Sequence, residues 1–240
     1  MPATIASRAR SALLLFVCVA PVSAQTTARH VRCLDHTYDY ELYTPSAPVP
    51  LPAILLLHGA GGRSSDLLDL WQPLAAREHI VLIAPQIPRE LWFEAVAPAV
   101  FRCLVEDARH AVALNAQRIY LFGYSMGGYL AYDGAMFAST YFAGAGIYAA
   151  AIADDYSAIV DSAARKIPIA IYIGSRDQYF SLEQVRRTRD LLTRHGFPVR
   201  YLELTGQDHG FAPVAAQVSA DAWHYLSAFT LPSPSGATPP

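Results

Sequence analysis

Ser125 is the residue of this sequence whose surroundings best suit nucleophilic chemistry. It lies in Gly123-Tyr124-Ser125-Met126-Gly127, which fits the pattern Gly-x-Ser-x-Gly. Residues 118–122, just before it, are rich in β-branched and aromatic side chains and predict a buried strand, and residues 129–136 predict a helix. A sharp turn from strand to helix holds a serine in a strained conformation, with its hydroxyl exposed above the sheet. We therefore predict Ser125 to be a nucleophile.

A serine hydroxyl is a weak nucleophile at neutral pH and needs a base within hydrogen-bond reach. His209 follows the last predicted strand, residues 198–204, and precedes the last predicted helix, residues 213–229. It therefore falls on a loop at the carboxyl edge of the sheet, where open α/β folds carry their chemistry. Six other histidines lie near the start of the chain or in and at the ends of predicted helices: His30, His36, His79, His110, His195 and His224. A lone histidine on a helix is usually solvated or packed, so we predict His209 to be the base.

The base in turn needs a carboxylate that fixes its tautomer and stabilises the imidazolium. Asp177 follows the buried run 167–173 and so lies on another strand-end loop. Asp154 and Asp155 also follow a predicted strand, and Asp208 is adjacent to the histidine. We predict Asp177 to be this carboxylate. Asp154 and Asp155 lie one strand end earlier and Asp208 is the immediate neighbour of the base, and both positions fit the geometry of a carboxylate bonded to His209 less well.

Acyl transfer also needs two backbone N–H groups that stabilise the developing oxyanion. Met126, directly after the serine, is predicted to supply one. The segment His58-Gly59-Ala60-Gly61-Gly62 follows the predicted strand 53–57, and its glycines allow close approach of backbone to substrate. We predict the N–H of Ala60 to be the second donor, with Gly61 as the alternative. A plain glycine turn between strand and helix is the competing interpretation.

The order Ser125, Asp177, His209, with the Gly-x-Ser-x-Gly turn and the preceding His-Gly-x-Gly-Gly, resembles the α/β-hydrolase superfamily. The resemblance covers residues 37–229. Within the superfamily the chain is similar to exported esterases related to polyhydroxyalkanoate depolymerases and feruloyl esterases, and to the dienelactone-hydrolase-like group. A dienelactone hydrolase proper would carry cysteine, and a haloalkane dehalogenase aspartate, at the position of Ser125. The resemblance implies a serine esterase that works through an acyl-enzyme.

Predicted strands and helices alternate along the chain, which indicates a mostly parallel sheet with helices on both faces. The predicted strands are residues 37–43, 53–57, 80–83, 118–122, 144–148, 167–173 and 198–204. The predicted helices are residues 65–78, 101–114, 129–136, 181–196 and 213–229, with a capping box of Ser181 and Gln184. About twenty residues separate the strands around residues 148 and 167, room for one helix. We therefore predict a single-domain α/β-hydrolase fold, residues 25–231, with a minimal cap and an open site.

Composition excludes several function classes. The chain has 240 residues, 53% hydrophobic and 16% charged, with a net charge of −2. This suits one folded domain rather than a disordered chain. Without a basic stripe, a nucleic-acid or anionic-membrane partner has little support. No clustered metal-ligand spacing is present, so we expect neither metal nor cofactor.

Residues 1–24 resemble a secretory signal peptide. Arg8 and Arg10 precede the apolar run 11–20, and small residues at 22–24 suit cleavage before Gln25. A membrane anchor is the alternative, but the run is too short to span a bilayer comfortably. We therefore predict a secreted or periplasmic protein without a stable membrane anchor, and a disordered tail over residues 232–240.

After signal cleavage the chain retains two cysteines, Cys33 and Cys103. An exported protein with two cysteines favours a disulfide, because its compartment is oxidising. Two unpaired buried thiols are the alternative.

Aromatic side chains flank the predicted catalytic residues. Trp92, Tyr124, Tyr179 and Phe211 are predicted to line the substrate pocket, with packing over the sheet as the alternative. Such a rim favours acyl or aryl groups over charged ones. We expect small-molecule or polymeric esters, of short-chain or aryl type, as substrates. The alternatives are an acyltransferase or peptidase on the same fold, and a non-catalytic binding protein, which the presence of every catalytic residue type disfavours.

Overall fold

The computed structural model describes residues 24–88, 97–153 and 156–233, and within these ranges the chain builds an eight-stranded sheet. The strands are β1 (Gln25–Cys33), β2 (His36–Thr44), β3 (Leu51–Leu57), β4 (Val81–Pro85), β5 (Leu114–Tyr124), β6 (Gly144–Tyr148), β7 (Ile169–Gly174) and β8 (Val199–Leu204). Their order across the sheet is β1-β2-β4-β3-β5-β6-β7-β8. From β4 to β8 neighbouring strands are parallel, whereas β2 pairs antiparallel with both β1 and β4.

Six α-helices lie in the described residues: α1 (Ser64–Glu78), α2 (Ala97–Ala111), α3 (Met126–Phe137), α4 (Ser157–Ser162), α5 (Leu182–Arg194) and α6 (Ala215–Leu226). None of these helices is both long and apolar enough to span a membrane. At the start of α5, Ser181 Oγ accepts a hydrogen bond from the N–H of Gln184, at 3.2 Å, so the predicted capping box is confirmed. The predicted α/β fold is likewise confirmed.

The core lies on both sides of the central strands. Every residue of β3, β4, β6 and β7 is buried. Because successive side chains of a strand point to opposite faces, this burial requires cover on each face. Helices α1 and α6 pack together, as do α2 and α3. Between sheet and helix, the rings of Trp71 and Phe122 meet edge to face with centroids 4.8 Å apart.

The structure differs from the sequence-based elements at the edges. Strand β1 was not predicted, because among the described strands it pairs only with β2 and most of its side chains are polar, which leaves no apolar period to detect. The helix predicted to end at Leu114 ends at Ala111, and Leu114 begins β5. The helix predicted over residues 213–229 is a 3₁₀ turn, Ala212–Val214, followed by α6.

A disulfide and a group of side-chain hydrogen bonds attach the β1–β2 hairpin, at the edge of the sheet, to α2. A disulfide joins Cys33, at the end of β1, to Cys103 on α2. On the same helix Asp107 accepts hydrogen bonds from Tyr40 Oη, at 2.5 Å, and from Arg29 Nε, at 3.2 Å. The edge strands are therefore anchored by α2 as well as by the β2–β4 ladder.

The predicted terminal segments fall almost entirely outside the described residues. Of the predicted signal peptide, residues 1–23 lie outside, and of the predicted tail, residues 234–240 do. Ser233, which was assigned to the tail, accepts a hydrogen bond from Gln117 at 2.9 Å.

Candidate active site

Three strand ends bring a serine, a histidine and an aspartate together at the carboxyl edge of the sheet. Ser125 follows β5, Asp177 follows β7 and His209 follows β8. His209 Nε2 lies 2.9 Å from Ser125 Oγ, and His209 Nδ1 lies 2.7 Å from Asp177 Oδ2. Parallel strands carry their carboxyl ends to one edge, which is why Ser125 and Asp177, 84 and 32 positions before His209, meet it in one hydrogen-bonded chain.

The hydrogen bonds of Asp177 determine which ring nitrogen of His209 carries the proton. Its side chain is fully buried, and its Oδ1 accepts hydrogen bonds from the N–H groups of Tyr179 and Phe180, at 2.8 and 2.9 Å. Oδ2 remains to accept from His209, so Nδ1 carries a proton and Nε2 presents a lone pair to the Ser125 hydroxyl. This is the tautomer that a general base requires.

The backbone at Ser125 has the strain expected of a sharp strand-to-helix turn. Its φ is 55° and its ψ is −117°, and its N–H is held by the carbonyl of Tyr148 at 2.9 Å. A Cβ at Gly127 would overlap the carbonyl of Leu57, and one at Gly123 would overlap the carbonyl of Gly127. The two glycines are thus needed for close backbone approach around the serine.

Two backbone N–H groups beside the serine have no acceptor among the residues that the structure describes. Met126 is the first residue of α3, and the N–H groups of a helix's first turn have no partner within the helix. The N–H of Ala60 makes no hydrogen bond within the described residues. Ala60, Met126 and Ser125 line one cavity, so the two predicted oxyanion donors lie beside the predicted nucleophile.

His58 shapes the loop that carries Ala60, a role that the sequence analysis did not assign. Its ring is buried, Nε2 accepts from the N–H of Ile87 at 3.0 Å, and Nδ1 donates to the carbonyl of Gly59 at 2.8 Å. Both bonds suit the neutral ring. Burial lowers the pKa of the His58 imidazole, against weaker opposing effects of the Gly59 carbonyl and the Asp66 charge.

Acidification should therefore destabilise the fold through His58. An unfolded histidine takes up a proton as pH falls through about 6.5, whereas the folded His58, with its lowered pKa, stays neutral to lower pH. Stability from this group is complete above about pH 6.5 and declines below it. Urea unfolding at pH 7.5 and 5.0 should show a larger loss for the wild type than for His58→Asn. Equal losses would contradict a neutral His58.

Ser125 and His209 line an open cavity of about 410 Å³, the catalytic cavity, whose other lining residues include four aromatic side chains: Tyr124, Tyr129, Tyr179 and Phe180. Of the residues predicted to bind substrate, Tyr124 and Tyr179 line it. The Tyr179 ring, 69% exposed, meets the His209 ring with centroids 4.7 Å apart. Phe211 is buried against Phe122 and lines a neighbouring cavity of about 280 Å³ instead. Trp92 lies outside the described residues.

Sequence reasoning missed Tyr129 as a wall of the catalytic cavity. Its spacing in the sequence could have identified it, because it lies three residues after Met126 on the same helix and so shares a face with it. Phe180, the residue after Tyr179, stacks on the His209 ring with centroids 5.9 Å apart.

The alternative carboxylates do not contact the histidine within the described residues. Asp208 Oδ1 accepts from the N–H of Gly210, at 2.8 Å, and from Gln207 Nε2, at 3.1 Å. Asp154 and Asp155 lie outside the described residues. No group of three metal-ligating side chains was found in the part of the chain that the structure describes.

Comparison with known proteins agrees with this fold. The structure resembles that of a thermostable esterase, with 21% identity and a TM-score of 0.70, over 85% of this chain and 63% of that one. It resembles the S-formylglutathione hydrolase of Staphylococcus aureus, with 16% identity and a TM-score of 0.68, over 87% of this chain and 99% of that one. It also resembles Thermogutta terrifontis esterase 2 phosphoramylated by tabun, with 17% identity and a TM-score of 0.67, over 88% of this chain and 97% of that one.

Sequence comparison gives the family. No curated protein matches the chain significantly. The family model described as "Dienelactone hydrolase family" matches residues 39–228, which is most of the chain. This span contains every strand from β3 to β8 and the loops that carry Ser125, Asp177 and His209. The chain therefore belongs to the dienelactone hydrolase family, and with it to the α/β-hydrolase enzymes that act on esters.

Proposed function

We propose that the protein is a serine carboxylic-ester hydrolase in which Ser125, His209 and Asp177 act as a catalytic triad. The observation that carries the proposal is the hydrogen-bonded chain from Ser125 Oγ through both ring nitrogens of His209 to Asp177. It provides a nucleophile, a base in the correct tautomer and a group that stabilises the charged base. The family match supports the hydrolase class. In this chain Ser125 stands where a dienelactone hydrolase proper would carry its cysteine nucleophile.

The first half-reaction forms an acyl-enzyme. Ser125 Oγ attacks the ester carbonyl carbon while its proton passes to His209 Nε2. The oxyanion accepts hydrogen bonds from the N–H groups of Ala60 and Met126, and Asp177 stabilises the imidazolium. The intermediate then collapses, its bond to the alcohol oxygen breaks, and the alcohol leaves with the proton from Nε2.

The second half-reaction regenerates the enzyme. A water molecule gives one proton to His209 Nε2 and attacks the acyl carbon, which restores the oxyanion at Ala60 and Met126. Breakage of the acyl bond to Ser125 Oγ returns that proton to the serine and releases the carboxylic acid. The cycle consumes one water and needs no other reactant.

The shape of the site favours short-chain, aryl or polymeric esters. The cavity opens to the surface beside the exposed Tyr179, and the segment between β6 and β7 contributes one six-residue helix, α4, in its described part. A small cap leaves room for a substrate larger than the cavity. Aromatic walls favour apolar acyl or aryl groups.

Export is part of the proposal. The signal-like residues 1–24 and the disulfide between Cys33 and Cys103 support it, because disulfides persist in oxidising compartments. The mature chain would begin at Gln25. Sequencing the N-terminus of the protein recovered outside the cytoplasm tests this, and an intact Met1 on that protein would refute the cleavage.

Covalent labelling tests the proposed chemistry. A fluorophosphonate should add once to the folded protein, on Ser125, as shown by intact mass and peptide mapping. The same preparation should hydrolyse p-nitrophenyl esters in a series from acetate to palmitate, fastest at the short end. A folded protein that is neither labelled nor active on any ester would instead support the non-catalytic alternative. Labelling without hydrolysis would support an acyltransferase or a peptidase.

A further inference from the structure

A second cavity, of about 390 Å³, adjoins the catalytic one. Met126 and Tyr129 line both cavities, so the two share a wall. Asp133, from α3, contributes the one charged side chain among the described residues that line the second cavity. The remaining lining is mainly aromatic and aliphatic, as in sites that hold an apolar group and orient it by a few polar contacts.

One face of α3 runs from the oxyanion donor to this carboxylate. Met126, Tyr129 and Asp133 are spaced i, i+3 and i+7, which places them on the same side of the helix. Seven residues correspond to a rise of about 10 Å along the axis, and helical side chains lean back toward the N-terminus. The carboxylate therefore lies one aryl or short alkyl group away from the reacting carbonyl.

The polar groups of the second cavity are not all used by the protein. Asp133 is half-buried, and the hydrogen bond that the structure gives it is from Tyr156 Oη to Oδ1, at 2.7 Å. Burial raises the pKa of the Asp133 carboxyl, and the bond from Tyr156 only partly offsets this. Tyr132, on the same wall, has a buried hydroxyl without a hydrogen-bond partner in the described residues. Such groups indicate a polar ligand group or an ordered water.

The position of His209 decides whether the acyl half or the alcohol half of an ester would enter the second cavity. The leaving alcohol must take its proton from His209 Nε2, so it lies beside that ring. His209 lines the catalytic cavity but not the second one, and the two cavities meet at Met126 and Tyr129. The second cavity is thus on the acyl side of the reacting carbon.

We propose that the second cavity is an acyl-group subsite selecting acyl groups that end in a hydroxyl, which donates a hydrogen bond to Asp133. Tyr156 is a positioning residue that orients the carboxylate. This inference rests on the proposed esterase function. The competing explanation is that the bond between Asp133 and Tyr156 only ties the segment before α4 to α3.

A pair of substrates that differ by one hydroxyl tests the subsite. They are the p-nitrophenyl esters of 3-(4-hydroxyphenyl)propionate and 3-phenylpropionate, which share their leaving group. The wild type should prefer the hydroxylated ester about tenfold in kcat/KM, since a hydrogen bond to a charged group has this size. Asp133→Asn should bring the ratio close to one, and Tyr156→Phe should lower it.

Matched controls separate recognition from structural support. Tyr141→Phe removes a comparable bond, from Tyr141 Oη to Glu106 at 2.6 Å, away from both cavities, and should keep the wild-type ratio. The fraction of each variant labelled by fluorophosphonate normalises its rates to folded enzyme. Ala153→Trp, at an exposed residue of the cavity wall, should lower kcat/KM for both phenylpropionates relative to the acetate.

The outcomes distinguish the subsite from the function on which it rests. If p-nitrophenyl acetate is hydrolysed but the wild-type ratio is close to one, the subsite is wrong and the esterase proposal stands. A wild-type preference that Asp133→Asn leaves intact would also overturn the subsite proposal, since the Asp133 carboxylate would then not recognise the hydroxyl. If the acetate is not hydrolysed at all, the esterase proposal fails and the subsite fails with it.

Discussion

Ser125→Ala is expected to lower kcat for p-nitrophenyl acetate by at least about 10⁴-fold, leaving only what the oxyanion donors and substrate binding supply. Alanine lacks the Oγ that forms the acyl bond, so the two-step route closes. The base then has only water to activate. Steady-state rates on purified wild type and variant, with fluorophosphonate labelling of both, measure the effect, and labelling should vanish with the activity.

The fold of this variant should be retained. Alanine and serine have similar access to the positive φ at position 125, and no backbone bond is lost. Ser162→Ala is a matched control, because Ser162 is exposed on α4 and its hydroxyl donates only to the carbonyl of Ile159, at 2.8 Å. It should hydrolyse esters at the wild-type rate. If Ser125→Ala retained a tenth of the activity, another nucleophile would have to be sought.

Asp177→Asn is expected to lower kcat by about 10⁴-fold, because it reverses the tautomer of His209. Two backbone N–H groups, of Tyr179 and Phe180, donate to Oδ1 and would hold the asparagine carbonyl oxygen there. The asparagine NH₂ must then point at His209 Nδ1, which becomes the acceptor. Nε2 would carry the proton and present no lone pair to Ser125 Oγ.

Asp208→Asn is the matched control for this carboxylate. It is the same substitution one residue from His209, at a side chain that bonds Gly210 and Gln207 instead of the ring. Its kcat should stay within a few-fold of the wild type. A severe loss in Asp208→Asn together with a mild loss in Asp177→Asn would reverse the assignment of the two aspartates. Both variants are compared by kcat on p-nitrophenyl acetate and by melting temperature.

The sequence by itself determined the architecture and the strand ends that carry the candidate residues. Continuous apolar runs such as residues 53–57 and 167–173 are unambiguous when both faces of a strand are buried, and alternation with helices then leaves a parallel sheet. That topology places Ser125, Asp177 and His209 at one edge of the sheet, and the family match to residues 39–228 agrees with it.

Tertiary structure alone decided which side chains touch. Asp208 is the neighbour of His209 in the sequence, and Asp177 lies on a strand-end loop at the same edge of the sheet. Only the geometry of the loops directs Asp177 to the His209 ring and Asp208 to the N–H of Gly210. Phe211, next to the histidine's loop, turns inward to the core. Strand periodicity fixes the face of a residue within an element, but not the direction of a side chain on a loop.

The edge strand, the His58 tautomer and the second cavity were also beyond the reach of the sequence. β1 depends on pairing with β2, since its polar residues carry no apolar period. The state of His58 depends on the N–H of Ile87, a residue 29 positions away. The bond of Asp133 to Tyr156 spans 23 positions. Such long-range contacts are set by how the elements pack, whereas local sequence encodes the elements themselves.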